Sequence, residues 1–203
     1  MTTKPTTTTR GSFIVFEGLD KSGKSTQINL LAETLREKKI DYALIKFPTR
    51  TGDKLSKIIE QYLKKEIDLE DEVIHLLFSA DRWRMEYEIF KLLNKGTTVL
   101  CDRYIHSGLA FSTAKGLDFD WCQSTDANLL TPDVVIFLNV YPLKFLKGFG
   151  EERYEKLEFQ SRVYEQYQKI ILDNPDLFTI INVDNKSPKE LQQEIYDSLK
   201  TFF

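Results

Sequence analysis

Positive charge is in short supply in this chain. Its 203 residues carry 28 Lys and Arg against 31 Asp and Glu, a net charge of −3. That balance excludes a general electrostatic grip on nucleic acid and leaves the binding of any anion to a few placed cations. Cysteine is scarcer: Cys101, inside an apolar run, and Cys122, after Trp121, are the only two. Two thiols without metal-ligand spacing point to reduced, buried side chains and a cytoplasmic location, with the nucleus left open. No apolar run reaches the ~18 residues of a membrane span, so no membrane role is expected. No internal repeat is present. Residues 1–11 are threonine-rich with Pro5, too polar for a signal peptide and poorer in arginine than a mitochondrial presequence wants. They read as a disordered tail.

What is present suits one α/β domain over residues 12–203, with 41% hydrophobic and 29% charged residues to build core and surface. The chain is organised around a short apolar run, 13–16, followed by Gly18-Leu19-Asp20-Lys21-Ser22-Gly23-Lys24-Ser25-Thr26. Gly18 to Ser25 matches G-x-x-x-x-G-K-[ST], a phosphate-cradling loop. Ile28, Leu31, Ala32 and Leu35 then recur at helical spacing. The motif therefore lies between a strand and a helix N-terminus, where curled backbone N–H groups and the helix dipole meet an anion. Lys24 would reach the β- and γ-phosphates of a nucleoside triphosphate, and the Ser25 hydroxyl would ligate Mg²⁺.

Further strands are predicted at 42–46, 97–101, 134–138 and 178–183, and helices at 24–38, 55–63, 69–94, 107–114, 119–128, 159–172 and 188–199. The alternation implies a parallel five-stranded sheet covered on both faces, a three-layer αβα sandwich. Ligands then bind beyond the carboxyl ends of the strands. The phosphate loop, Phe47-Pro48-Thr49-Arg50 and Asp102-Arg103-Tyr104 each follow a strand, so they should converge on one crevice. Arg50 and Arg103 read as a clamp on an acceptor phosphate. Asp102 is placed to hold Mg²⁺ directly or through water.

On the helix at 69–94, Val73, Leu76, Leu77, Ala80, Trp83 and Tyr87 make a stripe predicted to face the core. Phe78 projects nearly opposite, with Arg82 one turn on. That pair suits a flat base, the ring stacking and the guanidinium bonding an exocyclic oxygen; packing of Phe78 in a subunit interface or under a neighbouring helix suits it equally. His75 and His106 read as structural, since phosphoryl chemistry asks for no imidazole.

Taken together, these stretches resemble the thymidylate kinases of the eukaryotic and poxvirus type, within the P-loop nucleoside monophosphate kinases. The resemblance runs from Phe13 to the last helix, through Leu76-Leu77-Phe78-Ser79-Ala80-Asp81-Arg82-Trp83, Ser107-Gly108, Pro132-Asp133 and Gly150-Glu151-Glu152-Arg153-Tyr154-Glu155. It implies transfer of the γ-phosphoryl of ATP to dTMP and a homodimer. It also implies that Phe78 stacks on thymine, Arg82 bonds O4, and Asp20 holds the 3′-hydroxyl while Tyr154 crowds the 2′ position. Arg50 and Arg103 would hold the acceptor phosphate. Phe47, Gly108 and Phe111 would line the pocket, Asn185 and Lys186 would lie along the adenine, and a short lid would span about 144–156.

The chain departs from the family pattern in three places. Lys21 stands where many members have arginine, keeping the charge but losing the fork. Asp81 stands where asparagine is usual, and could bond the N3–H of thymine or tether Arg82. The lid is shortened around Lys147. With Lys21, Lys24, Arg50 and Arg103 as the catalytic cations, transfer needs no general base, because the acceptor oxygen is already anionic. Rival readings are a kinase for dUMP or another nucleoside monophosphate, and a GTPase-like switch. Against the switch, Asn185-Lys186-Ser187-Pro188 lacks the aspartate of a guanine-reading motif.

Overall fold

The apolar runs become five parallel strands: β1 (Phe13–Glu17), β2 (Tyr42–Lys46), β3 (Thr98–Asp102), β4 (Val134–Asn139) and β5 (Phe178–Asn182). They form one sheet in the order β2-β3-β1-β4-β5. This computed structural model describes residues 10–140 and 152–203. Most of the expected lid, with Lys147, and the first nine residues of the expected tail lie outside the described residues. At the start of the described chain, the Gly11 amide donates to the Leu93 carbonyl at 2.8 Å, and Arg10 pairs with Asp133 at 2.7 Å.

The helices are α1 (Lys24–Glu37), α2 (Lys54–Leu63), α3 (Asp71–Asn94), α4 (Ile105–Thr113), α5 (Phe119–Thr125), α6 (Leu157–Asp173) and α7 (Pro188–Leu199). Alternation along β1 divides the core. Ile14 and Phe16 pack with Leu31 and Leu35 of α1 and Leu191 and Ile195 of α7. Phe13 and Val15 face the other layer, with Ile89 and Leu93 of α3, Leu109 of α4, and Val163 and Tyr167 of α6. With both faces covered, the central strands run apolar except at their ends, where Glu17, Thr98, Asp102 and Asn139 stand.

Element ends moved by a few residues, for local reasons. Helix α3 begins at Asp71 because Glu70 is extended (φ −58°, ψ 147°). Helix α5 stops at Thr125, short of the predicted 128: Asp126 (φ −105°, ψ 7°) already leaves helical geometry, and Asn128 then takes a left-handed φ of 72°. Helix α7 begins where expected, on a capping box of Ser187 and Glu190 with Pro188 in the first turn. Ser187-Pro188 therefore starts a helix rather than completing a guanine-reading loop.

The one large correction concerns the faces of α3. Of the stripe predicted to face the core, only Leu77 does so, half-buried against Ile59, Tyr62, Leu63 and Ile74; Val73, Leu76, Ala80, Trp83 and Tyr87 are all on the surface, joined by Phe90. The inward face carries Ile74, His75, Ser79, Asp81, Arg82, Ile89 and Leu93. Polar side chains are tolerated there because each finds a partner: His75 meets Ser112 at 2.7 Å, Ser79 donates to the Thr125 carbonyl, and Arg82 pairs with Asp126. Apolar residues occupy both faces, so helical periodicity could not tell inside from outside.

Candidate active site

Two cavities open side by side beyond the carboxyl ends of β1, β2 and β3. One is bordered by the phosphate loop from Asp20 to Thr26, with Lys46, Arg50 and Asp102. The other is bordered by Phe78, Arg82, Gly108, Phe111 and Tyr154. Asp20, Phe47, Pro48, Leu63, Arg103 and Glu152 border both. A ligand in either cavity therefore ends against the same side chains.

The loop's glycines answer two separate needs. At Gly18 (φ 140°) a Cβ would lie 2.8 Å from the Leu138 carbonyl, so only glycine lets the loop leave β1 against β4. Gly23 (φ 94°) supplies the left-handed turn into α1. Lys24 is buried and donates to the carbonyls of Gly18 at 3.0 Å and Leu19 at 2.6 Å. Burial first, then the neighbouring Arg103, brings its ammonium down to about 7. Leu19 itself points into the core and offers only its carbonyl. Lys21, with a left-handed φ of 60°, pairs with Glu155 at 3.1 Å.

Ser25 donates to Asp102 at 2.8 Å, and the ammonium of Lys46 lies 3.1 Å from the same carboxylate oxygen. Burial would raise the Asp102 carboxyl, but Lys24, Lys46 and Arg103 outweigh it and hold it below the usual range. It is therefore anionic beside a hydroxyl at the phosphate cavity, a pair of hard oxygens that fits Mg²⁺. Among the described residues no group of three His, Cys, Asp or Glu could hold a metal. The rest of such an ion's shell would have to come from phosphate and water.

Arg103 follows β3 with a left-handed φ of 69°. Its guanidinium donates to the Gly18 carbonyl at 3.1 Å, to Ser107 Oγ at 3.0 Å and to Asp20 at 2.5 Å. Burial opposes its charge, and Asp20 above all reverses the effect. Arg50 is more open, at the cavity rim, 3.4 Å from Glu152 and 3.8 Å from Glu60. In the second cavity Tyr154 stacks on Phe159 at 5.2 Å and meets Phe111 edge-on at 5.4 Å. Phe78 lines this cavity and packs with Ile59, Tyr62, Leu63 and Ile74, on the side of α3 away from its exposed stripe.

Asp81 has neither of its two expected roles. It is fully buried, with its carboxylate accepting the amide and hydroxyl of Thr49 and the guanidinium of Arg84, and it does not border either cavity. Three donors draw it away from the base pocket and from Arg82. Asn185 and Lys186 border neither cavity. Asn185 takes a left-handed φ of 61°, Lys186 pairs with Glu194, and Gln27 of α1 ties this stretch in by a hydrogen bond to the Pro188 carbonyl.

The structure also adds residues that sequence reasoning did not single out. Glu17 accepts from the Tyr104 amide at 2.9 Å, the Ser107 amide at 3.0 Å, Ser107 Oγ at 2.6 Å and Tyr167 Oη at 2.7 Å, so it pins the turn that presents Arg103. Gln160 holds Asp20 through both amide atoms and reaches the Tyr154 carbonyl at 3.1 Å. A buried carboxylate directly before the loop glycine was the available signal for Glu17. Gln160 had none, lying 140 residues from Asp20.

Comparison with known proteins agrees with this geometry. Residues 16–195 match the family model described as "Thymidylate kinase". The chain is 52% identical over 163 residues to a thymidylate kinase of Schizosaccharomyces pombe, covering 79% of this chain and 77% of that one. It is 38% identical to the human thymidylate kinase, covering 92% and 88%. The solved thymidylate kinase of Candida albicans superposes with a TM-score of 0.84 at 36% identity, covering 95% of this chain and 92% of that one.

Proposed function

The chain belongs to the thymidylate kinase family, and we propose on that premise that it transfers the γ-phosphoryl of ATP to dTMP, giving dTDP and ADP, a step of dTTP synthesis. One observation carries the reading: the phosphate cavity and the aromatic cavity share Asp20, Phe47 and Arg103, so donor and acceptor phosphates meet against one set of side chains.

In this reading Phe78 stacks on thymine and Arg82 donates to its 4-carbonyl. Asp20 receives the 3′-hydroxyl, Tyr154 leaves no room at the 2′ position, and Phe47, Gly108 and Phe111 close the walls. Asn185 and Lys186 are assigned to the adenine side. Arg50 and Arg103 grip the acceptor phosphate, while Lys21 and Lys24 face the transferred group. Transfer is direct and in line, with the anionic acceptor oxygen as nucleophile, so these residues act by position and charge rather than by moving a proton. Lys24 releases its loop carbonyls as a phosphate oxygen replaces them. Ser25 and Asp102 would hold Mg²⁺, which when bound neutralises charge on the donor phosphates.

The exposed residues of α3 support a homodimer. Val73, Leu76, Ala80, Trp83, Tyr87 and Phe90 recur at alternating spacings of three and four, the repeat of a helix seam.

ADP release measured across a panel of nucleoside monophosphates tests the reading. The wild type should prefer dTMP. Phe78→Ala should lose ~1–3 kcal/mol of acceptor binding with ATP binding little changed. A preference for an acceptor that lacks the 4-carbonyl would reject the assignment.

A further inference from the structure

Asp126 lies just past α5 and belongs to none of the motifs above. Its carboxylate accepts from Arg82 twice, from Nε at 3.1 Å and from Nη2 at 2.6 Å. Both side chains are almost sealed, at 4% and 6% exposure. Gly108 closes the guanidinium from the side of α4. A Cβ there would fall 2.6 Å from Nη2 and 2.9 Å from Nη1, so any side chain at position 108 would push the guanidinium out of this position. Arg82 is thus gripped between a carboxylate and a backbone.

The grip leaves one edge unused. A guanidinium carries five N–H donors, and Asp126 takes two of them. Among the described residues Nη1 donates to no protein acceptor, while Arg82 and Gly108 both border the aromatic cavity. The carboxylate is itself held in place. Ser79 Oγ and Trp83 Nε1 both donate to the Thr125 carbonyl at 2.9 Å, and His75 Nε2 lies 2.9 Å from Thr125 Oγ1 and 3.2 Å from the Cys122 carbonyl. Three side chains of α3 therefore fasten the end of α5 beside the Arg82–Asp126 ion pair, which is more than the pair alone requires.

We propose that Asp126 is a positioning residue that sets the base specificity of the acceptor site. By occupying the Nε–Nη2 edge of Arg82, it presents the other edge as a fixed donor toward the 4-position of a pyrimidine. A 4-carbonyl accepts that donor, whereas a 4-amino group would set donor against donor in a desolvated pocket. Asp126 itself borders neither cavity, so it is not placed to accept from a 4-amino group instead. This inference rests on the dTMP reading above.

The test is the ratio of kcat/KM for dTMP to that for dCMP, with KM for ATP followed in parallel. Asp126→Asn keeps the shape but puts an amide N–H against the guanidinium. It should raise KM for dTMP and lower the ratio, each by about tenfold, with KM for ATP within about twofold of wild type. Asp126→Glu keeps the charge and should fall between the two, and it decides the matter alone if the asparagine variant does not fold. In an Arg82→Met background Asp126→Asn should change the ratio no further. A wild-type ratio in the substituted enzymes, a loss of kcat and melting temperature without a change in KM, or an undiminished effect without Arg82 would each overturn the proposal. If the wild type itself fails to prefer dTMP over dCMP, the fault lies with the base assignment rather than with Asp126.

Discussion

The Asp81 carboxylate meets the Thr49 amide at 2.7 Å and the Thr49 hydroxyl at 2.6 Å, joining the middle of α3 to the loop that carries Arg50. Arg84, one turn on, supplies the counter-charge. Asp81→Ala takes the acceptor from a buried amide and a buried hydroxyl of Thr49, while Arg84 keeps its pairing with Asp53. The melting temperature should drop by roughly 5–10 °C, and KM for dTMP should rise about tenfold as Arg50 loosens. Asp81→Asn, which still accepts one hydrogen bond, should lose less of both. Calorimetry with acceptor titrations checks the pair of effects, and an unchanged KM in the alanine variant would leave Asp81 a purely structural brace.

Glu17 makes a comparable join on the opposite side of the site. Four donors converge on its carboxylate, and Ser107 passes the hold on to Arg103. Glu17→Ala should cost about 3–5 kcal/mol of folding stability, because two backbone amides and two hydroxyls lose a buried acceptor. Denaturant titration measures the loss. Glu17→Gln should recover only part of it, and a glutamine variant as stable as the wild type would contradict a role for the charge.

Lys24 is buried at a cost and, among the described residues, its ammonium donates to two loop carbonyls and the Ser22 hydroxyl. Lys24→Ala should lower kcat at least a few hundredfold, the worth of one well-aimed cation in the transition state. Circular dichroism should show the fold retained. A variant that keeps more than a tenth of wild-type turnover would remove Lys24 from the chemistry.

His75 and His106 give the fold a pH dependence. Burial, the largest cause for each, pushes both imidazoles below the ordinary 6.5. For His106, Glu17 at 3.9 Å opposes the shift without reversing it. As pH falls through 6.5, the unfolded chain takes up protons that the folded protein refuses, so stability drops with falling pH. Each histidine contributes at most about 1.4 kcal/mol per pH unit. Thermal melts between pH 7.5 and 5.5 should show the decline, and His75→Gln should flatten it. A steeper acid loss in that variant would contradict a neutral buried imidazole.

The seam on α3 predicts self-association. Light scattering should give about twice the 23.7 kDa of one chain. Leu76→Asp together with Tyr87→Asp, which touch neither cavity, should return the monomer mass, since charges opposed across an apolar helix seam are costly. A wild-type monomer at micromolar concentration would dispose of the dimer.

Local order was legible from residue types, because it depends on neighbours in the chain. The phosphate loop between β1 and α1, the five apolar strands and the capped start of α7 all follow from spacing over a few residues. From this followed the convergence of Asp20, Arg50, Asp102 and Arg103 on one crevice, since strand ends in a parallel sheet face the same way. What lay beyond reach was which face of α3 is inside, and which polar partners make that face possible. His75, Asp81 and Arg82 are tolerated in the interior only because Ser112, Thr49 and Asp126, 37, 32 and 44 residues away, come to meet them. Hydrogen bonds of that reach leave no periodic trace in the chain. Sequence alone determined the sheet and the anion cradle; tertiary packing decided which charged side chains are buried and where each is aimed, because the cost of burying a charge depends on partners that only folding brings within reach.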